Sequence, residues 1–316
     1  MTAPRWVKAV LIAAGLTLAV VLITPRIAEI PSGVAALGAA RPGWVAAAAA
    51  TAAAAYVATA LALQAAVRDR LPLWRTTQVQ LAGATAAIVA PAGLGGMALN
   101  VRFLERSGLG RADAVAAVGL HRVAGFAVHA ATLVVLAPWL LGQGGIIGSP
   151  GLPRAGLSVA VAVGAAVTAG LALARGQVPA VGRLIQRLST AAGTMLRGAR
   201  VVSGCWRRIV GLIGGSLLLS AARALTLAAC LQAFGVSVPL VTVAAVYFGA
   251  EALGALGGTP GGLGLLDSSL IAGLATVGVV AGSAIAAVLI FRLLTFWLPT
   301  APGALALRRL RRVAAI

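Results

Sequence analysis

The chain has 316 residues, 60% hydrophobic and only 10% charged, with a mean hydropathy of +1.02. A water-soluble domain carries roughly a quarter charged residues to face solvent, so the composition excludes one. The formal charge of +19 would suggest nucleic acid in a soluble protein. Here the basic residues gather between apolar blocks and at the tail, where they set topology and meet anionic lipid headgroups instead.

A helix needs ~20 apolar residues to cross a bilayer core. Val10–Ile23, Trp44–Val67, Gly156–Ala174, Ile209–Phe234 and Val279–Leu298 are the candidate crossings, the first one short. The Ala-rich run Ala46–Ala55 fits a helix, because a barrel strand would alternate apolar and polar residues. Arg5 and Lys8 precede an apolar run that ends in Thr24-Pro25-Arg26 without a small-x-small site, which predicts an uncleaved signal-anchor. Cys205 and Cys230 form no CxxC pattern and predict no structural disulfide.

Arginine placement orients the crossings, since cytoplasmic loops carry the excess of basic residues. Arg5 and Lys8 place the N-terminus in the cytoplasm, and Arg68, Arg70 and Arg75 follow inside after two crossings. The uncharged segment Gly142–Pro153 falls outside. The basic segment 175–208 falls inside, as does the tail 308–316 with Arg308, Arg309, Arg311 and Arg312. A full crossing by residues 78–96 would place Arg102, Arg106 and Arg111 outside and invert every later loop. The conflict disappears if residues 78–111 form a re-entrant hairpin with its tip at Pro91–Gly96. Residues 240–264 and 265–278, around Thr259–Gly264, form a second hairpin entering from outside. Pro and Gly at such tips break the helix, which is tolerated only where protein or water satisfies the freed backbone. The expected fold is all-α, one polytopic membrane domain with about six spanning helices and two re-entrant hairpins; eight crossings is the alternative. Segment 175–208 mixes leucines with arginines and reads as an interfacial helix on an anionic leaflet, a solvated loop or a docking segment.

The two halves repeat. The tips PAGLGG and PGGLG are each followed by an apolar arm and then by an arginine within an apolar helix, Arg122 and Arg292. The first half has an odd number of crossings, so the second is inserted upside down. Residues 1–142 and 154–307 are therefore expected to form an inverted repeat, the plan of secondary transporters whose broken segments meet at the midplane.

Arg122, Arg223 and Arg292 interrupt apolar segments. A membrane-centre arginine costs about 2.5–3.5 kcal/mol on insertion scales and normally faces a cavity or a partner. One reading is binding of a phosphate, which suits a guanidinium fork. The other is snorkelling, or pairing with Asp113, Glu251 or Asp267. Gly93, Gly95, Gly96, Pro260, Gly261, Gly262 and Gly264 could expose N–H groups to an anion, or could serve close helix packing as in Gly211-x-x-x-Gly215 and Gly254-x-x-x-Gly258. Asp267, Glu251 and His121 are candidates for charge balance or proton coupling. His121 and His129 share roughly one helix face but lack further ligands, so neither a metal nor a cofactor is expected.

PGGLGLLD followed by an arginine helix, with an earlier PAGLGG…Asn100 and a later HR, resembles the lysylphosphatidylglycerol synthase transmembrane region, a flippase-like family. The resemblance spans roughly residues 10–310. Asp267 stands where the resemblance leads one to expect glutamate. It implies movement of a lipid headgroup across the bilayer, of a phospholipid or a polyprenyl-phosphate glycolipid. Membrane lipids with anionic headgroups would be its partners. With no soluble aminoacyl-transferring domain in the chain, a multi-pass translocator of the cytoplasmic membrane is expected, with both termini cytoplasmic. A membrane transferase for lipid-linked sugar, and a scaffold for a separately encoded lipid synthase or glycosyltransferase, are the competing readings.

Overall fold

The structure, a computed structural model, describes residues 30–68, 71–89, 94–142, 206–256, 260–313 and 315–316. The blocks Val10–Ile23 and Gly156–Ala174, most of segment 175–208, and Gly93 lie outside the described residues. The described elements are helices: α1 Ile30–Ala36, α2 Pro42–Ala65, α3 Leu73–Val89, α4 Leu94–Arg106, α5 Arg111–Gly142, α6 Trp206–Ala233, α7 Leu240–Leu256, α8 Leu265–Thr276, α9 Ala281–Arg292 and α10 Thr300–Arg312. Short 3-10 turns at Leu37–Ala39 and Pro260–Gly262 and a π turn at Leu293–Trp297 complete them.

Length and composition decide which elements cross. Pro42–Ala65, Arg111–Leu136, Trp206–Ala233 and the continuous stretch Ala281–Arg312 are long and apolar enough. At 1.5 Å per residue, the 24 residues of α2 extend roughly 36 Å, against a hydrocarbon core of about 30 Å. The chain is a polytopic helical membrane protein.

Two apolar clusters mark opposite ends of these helices. The first holds Ala48 and Ala52 of α2, and the second holds Leu63 and Ala66 of the same helix. Helix α6 runs the other way, from Leu212 in the second cluster to Leu227 and Leu231 in the first. Helix α5 starts in the second with Ala114 and Val118 and ends with Leu133 and Leu136 against the first. The stretch α9–α10 runs back, from Ala284 to Leu310.

Lipid provides no hydrophobic drive between helices, so small residues that admit close contact replace it. Gly215 of α6 lies so near α2 that a Cβ there would sit 2.8 Å from the backbone N of Ala62. Gly211 meets Ala65 in the same seam, and Thr226 Oγ1 donates to Thr51 Oγ1 across it at 3.0 Å. For Gly211-x-x-x-Gly215, packing is therefore the geometry found.

The shorter helices pair as hairpins. Antiparallel arms α3 and α4 close on Gly95, where a Cβ would meet the Ala86 carbonyl oxygen at 2.6 Å. Arms α7 and α8 close on Gly254 against Leu266 and on Gly273 against Val246. Both feet of the first hairpin lie in the second cluster, through Leu71 and Val79 at one foot and Phe103 and Leu104 at the other. Both feet of the second lie in the first cluster, through Val243 and through Leu274 and Val279. The hairpins therefore penetrate from opposite ends. The order of neighbours also recurs: α2 on α3, α3 on α4 and α4 on α5 are matched by α6 on α7, α7 on α8 and α8 on α9.

Charge segregates in the same way. Arg68, Arg75, Arg102, Arg106, Arg111, Arg207 and Arg208 flank helix ends at the second cluster, joined by Arg308, Arg309, Arg311 and Arg312 of α10. Among the described residues, Arg41 alone of the arginines adjoins the helix ends at the first cluster.

The α2–α6 seam yields a direct expectation. Gly215→Leu should lower the thermal unfolding midpoint of the detergent-solubilised protein, because overpacking costs about 1–3 kcal/mol. Gly214→Leu, where no atom lies within 4 Å of the added Cβ, should leave it unchanged.

Candidate functional site

The tip of the second hairpin and helix α3 of the first hairpin border a cavity of about 590 Å³. Gln80 and Ala84 of α3 form one side, and Gly254, Gly261, Gly262 and Leu266 of the second hairpin form the other. The walls come from the spanning helices: Tyr56 and Thr59 of α2, Arg122 of α5, Leu219 and Arg223 of α6, Tyr247 and Glu251 of α7, and Phe291 and Arg292 of α9. Apart from Tyr247 and Phe291, which belong to the first cluster, these wall positions fall between the two end clusters. All three arginines singled out from the sequence line this one space.

Their surroundings differ. Arg292 is 7% exposed and committed to the second tip. Its guanidinium forms an ion pair with Asp267, with Nη2 3.3 Å from Oδ2, and Nη1 donates to the Gly261 carbonyl at 3.0 Å. It also stacks on Phe296, 5.0 Å from the ring centroid. Asp267 Oδ2 in turn accepts the Gly264 N–H at 3.0 Å, capping α8. Gly261, with φ of 63°, and Gly264, with φ of 86°, adopt left-handed backbone that favours glycine. A Cβ on Gly261 would in addition overlap the Phe296 ring. Arg292 and Asp267 together fix a broken segment of backbone.

The turn after Arg292 has its own local cause. Pro299 has no N–H to donate to Thr295 four residues back. The preceding turn widens to a π turn, in which the Leu298 N–H donates to the Leu293 carbonyl at 2.7 Å.

Arg122 is exposed on the cavity wall, and among the described residues no carboxylate lies within ion-pair distance of it. Gly96 of the first hairpin leaves room beside it, since a Cβ there would lie 3.9 Å from Arg122 Nη2. Arg223 sits within electrostatic reach of Tyr56, Tyr247 and Glu251, and no ion pair fixes it among the described residues. Glu251 is held from the other side by His129, with Nδ1 3.4 Å from Oε2.

The remaining sequence candidates support this arrangement from outside the cavity. Asn100 is buried and accepts a hydrogen bond from Gln80 Nε2 at 2.8 Å, which orients a lining side chain. Gly95 packs the hairpin arms together, and the Gly264 N–H is taken by Asp267. Pro260 opens the tip turn. His121 is buried beside Arg122 in sequence but does not line the cavity. Sequence reasoning passed over Tyr56, Thr59, Gln80, Tyr247 and Thr295. One signal was available: Tyr247 lies one turn before Glu251 on the same face of an apolar helix.

The described chain is thus a helical membrane domain whose polar groups converge on a cavity between two hairpins. Residues 6–303, nearly the whole chain, match the family described as lysylphosphatidylglycerol synthase TM region, and the protein belongs to it. That family is a membrane domain related to lipid flippase-like function. A comparison with curated proteins finds no match.

The Arg292–Asp267 clamp can be measured by a double-mutant cycle in thermal unfolding. Removing one partner of a buried pair costs roughly 3–5 kcal/mol, since the other charge is left uncompensated. Asp267→Ala and Arg292→Ala should each destabilise strongly, and the double variant should lose much less than the sum of the two.

Proposed function

We propose that the protein moves a phosphate-bearing lipid headgroup, of a phospholipid or polyprenyl-phosphate glycolipid, across the cytoplasmic membrane. The observation that carries this reading is the placement of Arg122 and Arg223, which form no ion pair among the described residues and have only Glu251 as a nearby acid, in a cavity where two oppositely rooted hairpins meet. Cationic side chains at membrane depth call for a compensating anion. A phosphate answers that need, and guanidinium groups bind it through charge-assisted hydrogen bonds. Tyr56, Tyr247, Thr59 and Gln80 add donors for the rest of a polar headgroup. The acyl or prenyl chains would stay in lipid beside the exposed apolar flank of α5, at Val123 and Phe126.

The arrangement suits alternating access. The order of neighbours recurs between the halves, and hairpins rooted at opposite ends correspond to an inverted repeat. Rocking of one half against the other would expose the arginines first to one leaflet and then to the other. The arginine-rich end would face the cytoplasm, which places the C-terminal helix α10 inside. Among the described residues that line the cavity, Glu251 is the only carboxylate. A single acid suits charge balance better than the paired acid and base of a transferase.

Reconstitution into liposomes carrying a fluorescent phosphatidylglycerol tests the reading, with loss of outer-leaflet fluorescence on reduction as the readout. The native protein should accelerate exchange between leaflets. Arg122→Ala and Arg223→Ala should each slow it by about tenfold or more, because a hydrogen bond to a charged group contributes roughly 1.5–3 kcal/mol. Unchanged exchange in both folded variants would overturn the assignment.

A further inference from the structure

Glu251 is an anion placed inside a site built to receive one. It lines the cavity with Arg122 and Arg223, and its Oε2 lies 3.4 Å from His129 Nδ1. The His129 ring is set edge-on against Phe248 at 5.2 Å between centroids, away from the cavity lining and toward the first apolar cluster. The pair therefore bridges the headgroup site and the end of the protein opposite the arginine-rich one.

The other groups facing Glu251 can be named element by element. Helix α5 supplies His129 and, lower on the cavity wall, Arg122. Helix α6 supplies Arg223, and α7 itself supplies Tyr247. Helix α8 offers only Asp267, already bound to Arg292, and the tip Pro260–Gly262 offers no titratable side chain. Asp267 cannot exchange its charge without releasing the tip. Glu251 is held instead by the His129 imidazole, a group that can accept or release a proton.

We infer that the His129–Glu251 pair takes up a proton as the phosphate binds and releases it as the phosphate leaves, coupling headgroup movement to protons. Two anions sharing Arg223 in a poorly solvated cavity repel strongly. A proton on the pair removes that repulsion, leaving either a neutral acid beside a neutral imidazole or an internally balanced ion pair. Linkage is reciprocal: if protonation tightens phosphate binding, phosphate binding draws in a proton by the same factor. The inference rests on reading the cavity as an anion site.

The test is calorimetric titration of the full-length protein in detergent with a short-chain phosphatidylglycerol, repeated near pH 7 in buffers of different ionisation enthalpy. The native protein should bind with net proton uptake, and more weakly as pH rises. Glu251→Gln should bind more tightly at the higher pH, by about tenfold, and without uptake. His129→Gln should also lose uptake, which supplies the result should Glu251→Gln not fold. Binding by the native protein without uptake, or full uptake retained in both variants, would overturn the coupling and leave the anion site standing. No binding by the native protein would overturn both.

Discussion

Breaking a helix inside a bilayer frees backbone groups that lipid cannot satisfy. At the second tip that problem is met by Arg292 and Asp267. One guanidinium contacts a carboxylate, a backbone carbonyl and an aromatic face, and the same carboxylate caps the following helix. Without this clamp the turn at Gly261–Gly264 would have no fixed shape, and the wall of the cavity that it forms would be lost. The clamp also neutralises Arg292, and this sets it apart from the other two arginines. Charge in the protein's interior is thus divided between a closed structural pair and an open cationic site.

That division depends on how the helices reach the middle. Small residues let α2 and α6 approach closely, and this antiparallel pair forms the spine against which both hairpins are set. The first hairpin is braced by α10, where Gly303 packs on Leu81 and Thr85 Oγ1 donates to the Thr300 carbonyl at 2.9 Å. The second is braced by its own clamp. Each hairpin contributes to the same cavity, the first through Gln80 and Ala84 and the second through its tip, so shifting either one reshapes a single site. Such geometry suits a device that must close on one side before it opens on the other.

Much of this was legible in the residues alone. Arg75 before the first broken segment and Arg102 and Arg106 after it cannot lie on opposite sides without inverting every later loop, and the feet of that hairpin do lie together. The three interior arginines announced themselves by the cost of charge in an apolar run. What remained hidden was their division of labour. Arg122 and Arg292 occupy matching places in the two repeats, yet only Arg292 has an acid 25 residues earlier that folds back onto it. Asp267 itself was legible as a partner only in outline, because local spacing does not say which of several arginines an acid will reach. Tyr56 and Gln80 escaped notice because a hydroxyl or amide among several in a largely apolar helix is ordinary until tertiary packing turns it toward a cavity.

The account stands on hairpins that penetrate from opposite faces of the membrane. Single cysteines at Arg75, Ser107, Ser237 and Val280, each in a background lacking Cys205 and Cys230, place the four feet when labelled with a membrane-impermeant maleimide in vesicles of known orientation. Arg75→Cys and Ser107→Cys should react from one side only, and Ser237→Cys and Val280→Cys only from the other. Labelling of positions 75 and 107 from opposite sides would show that the first hairpin crosses the bilayer, and would contradict the shared cavity on which the proposed function rests.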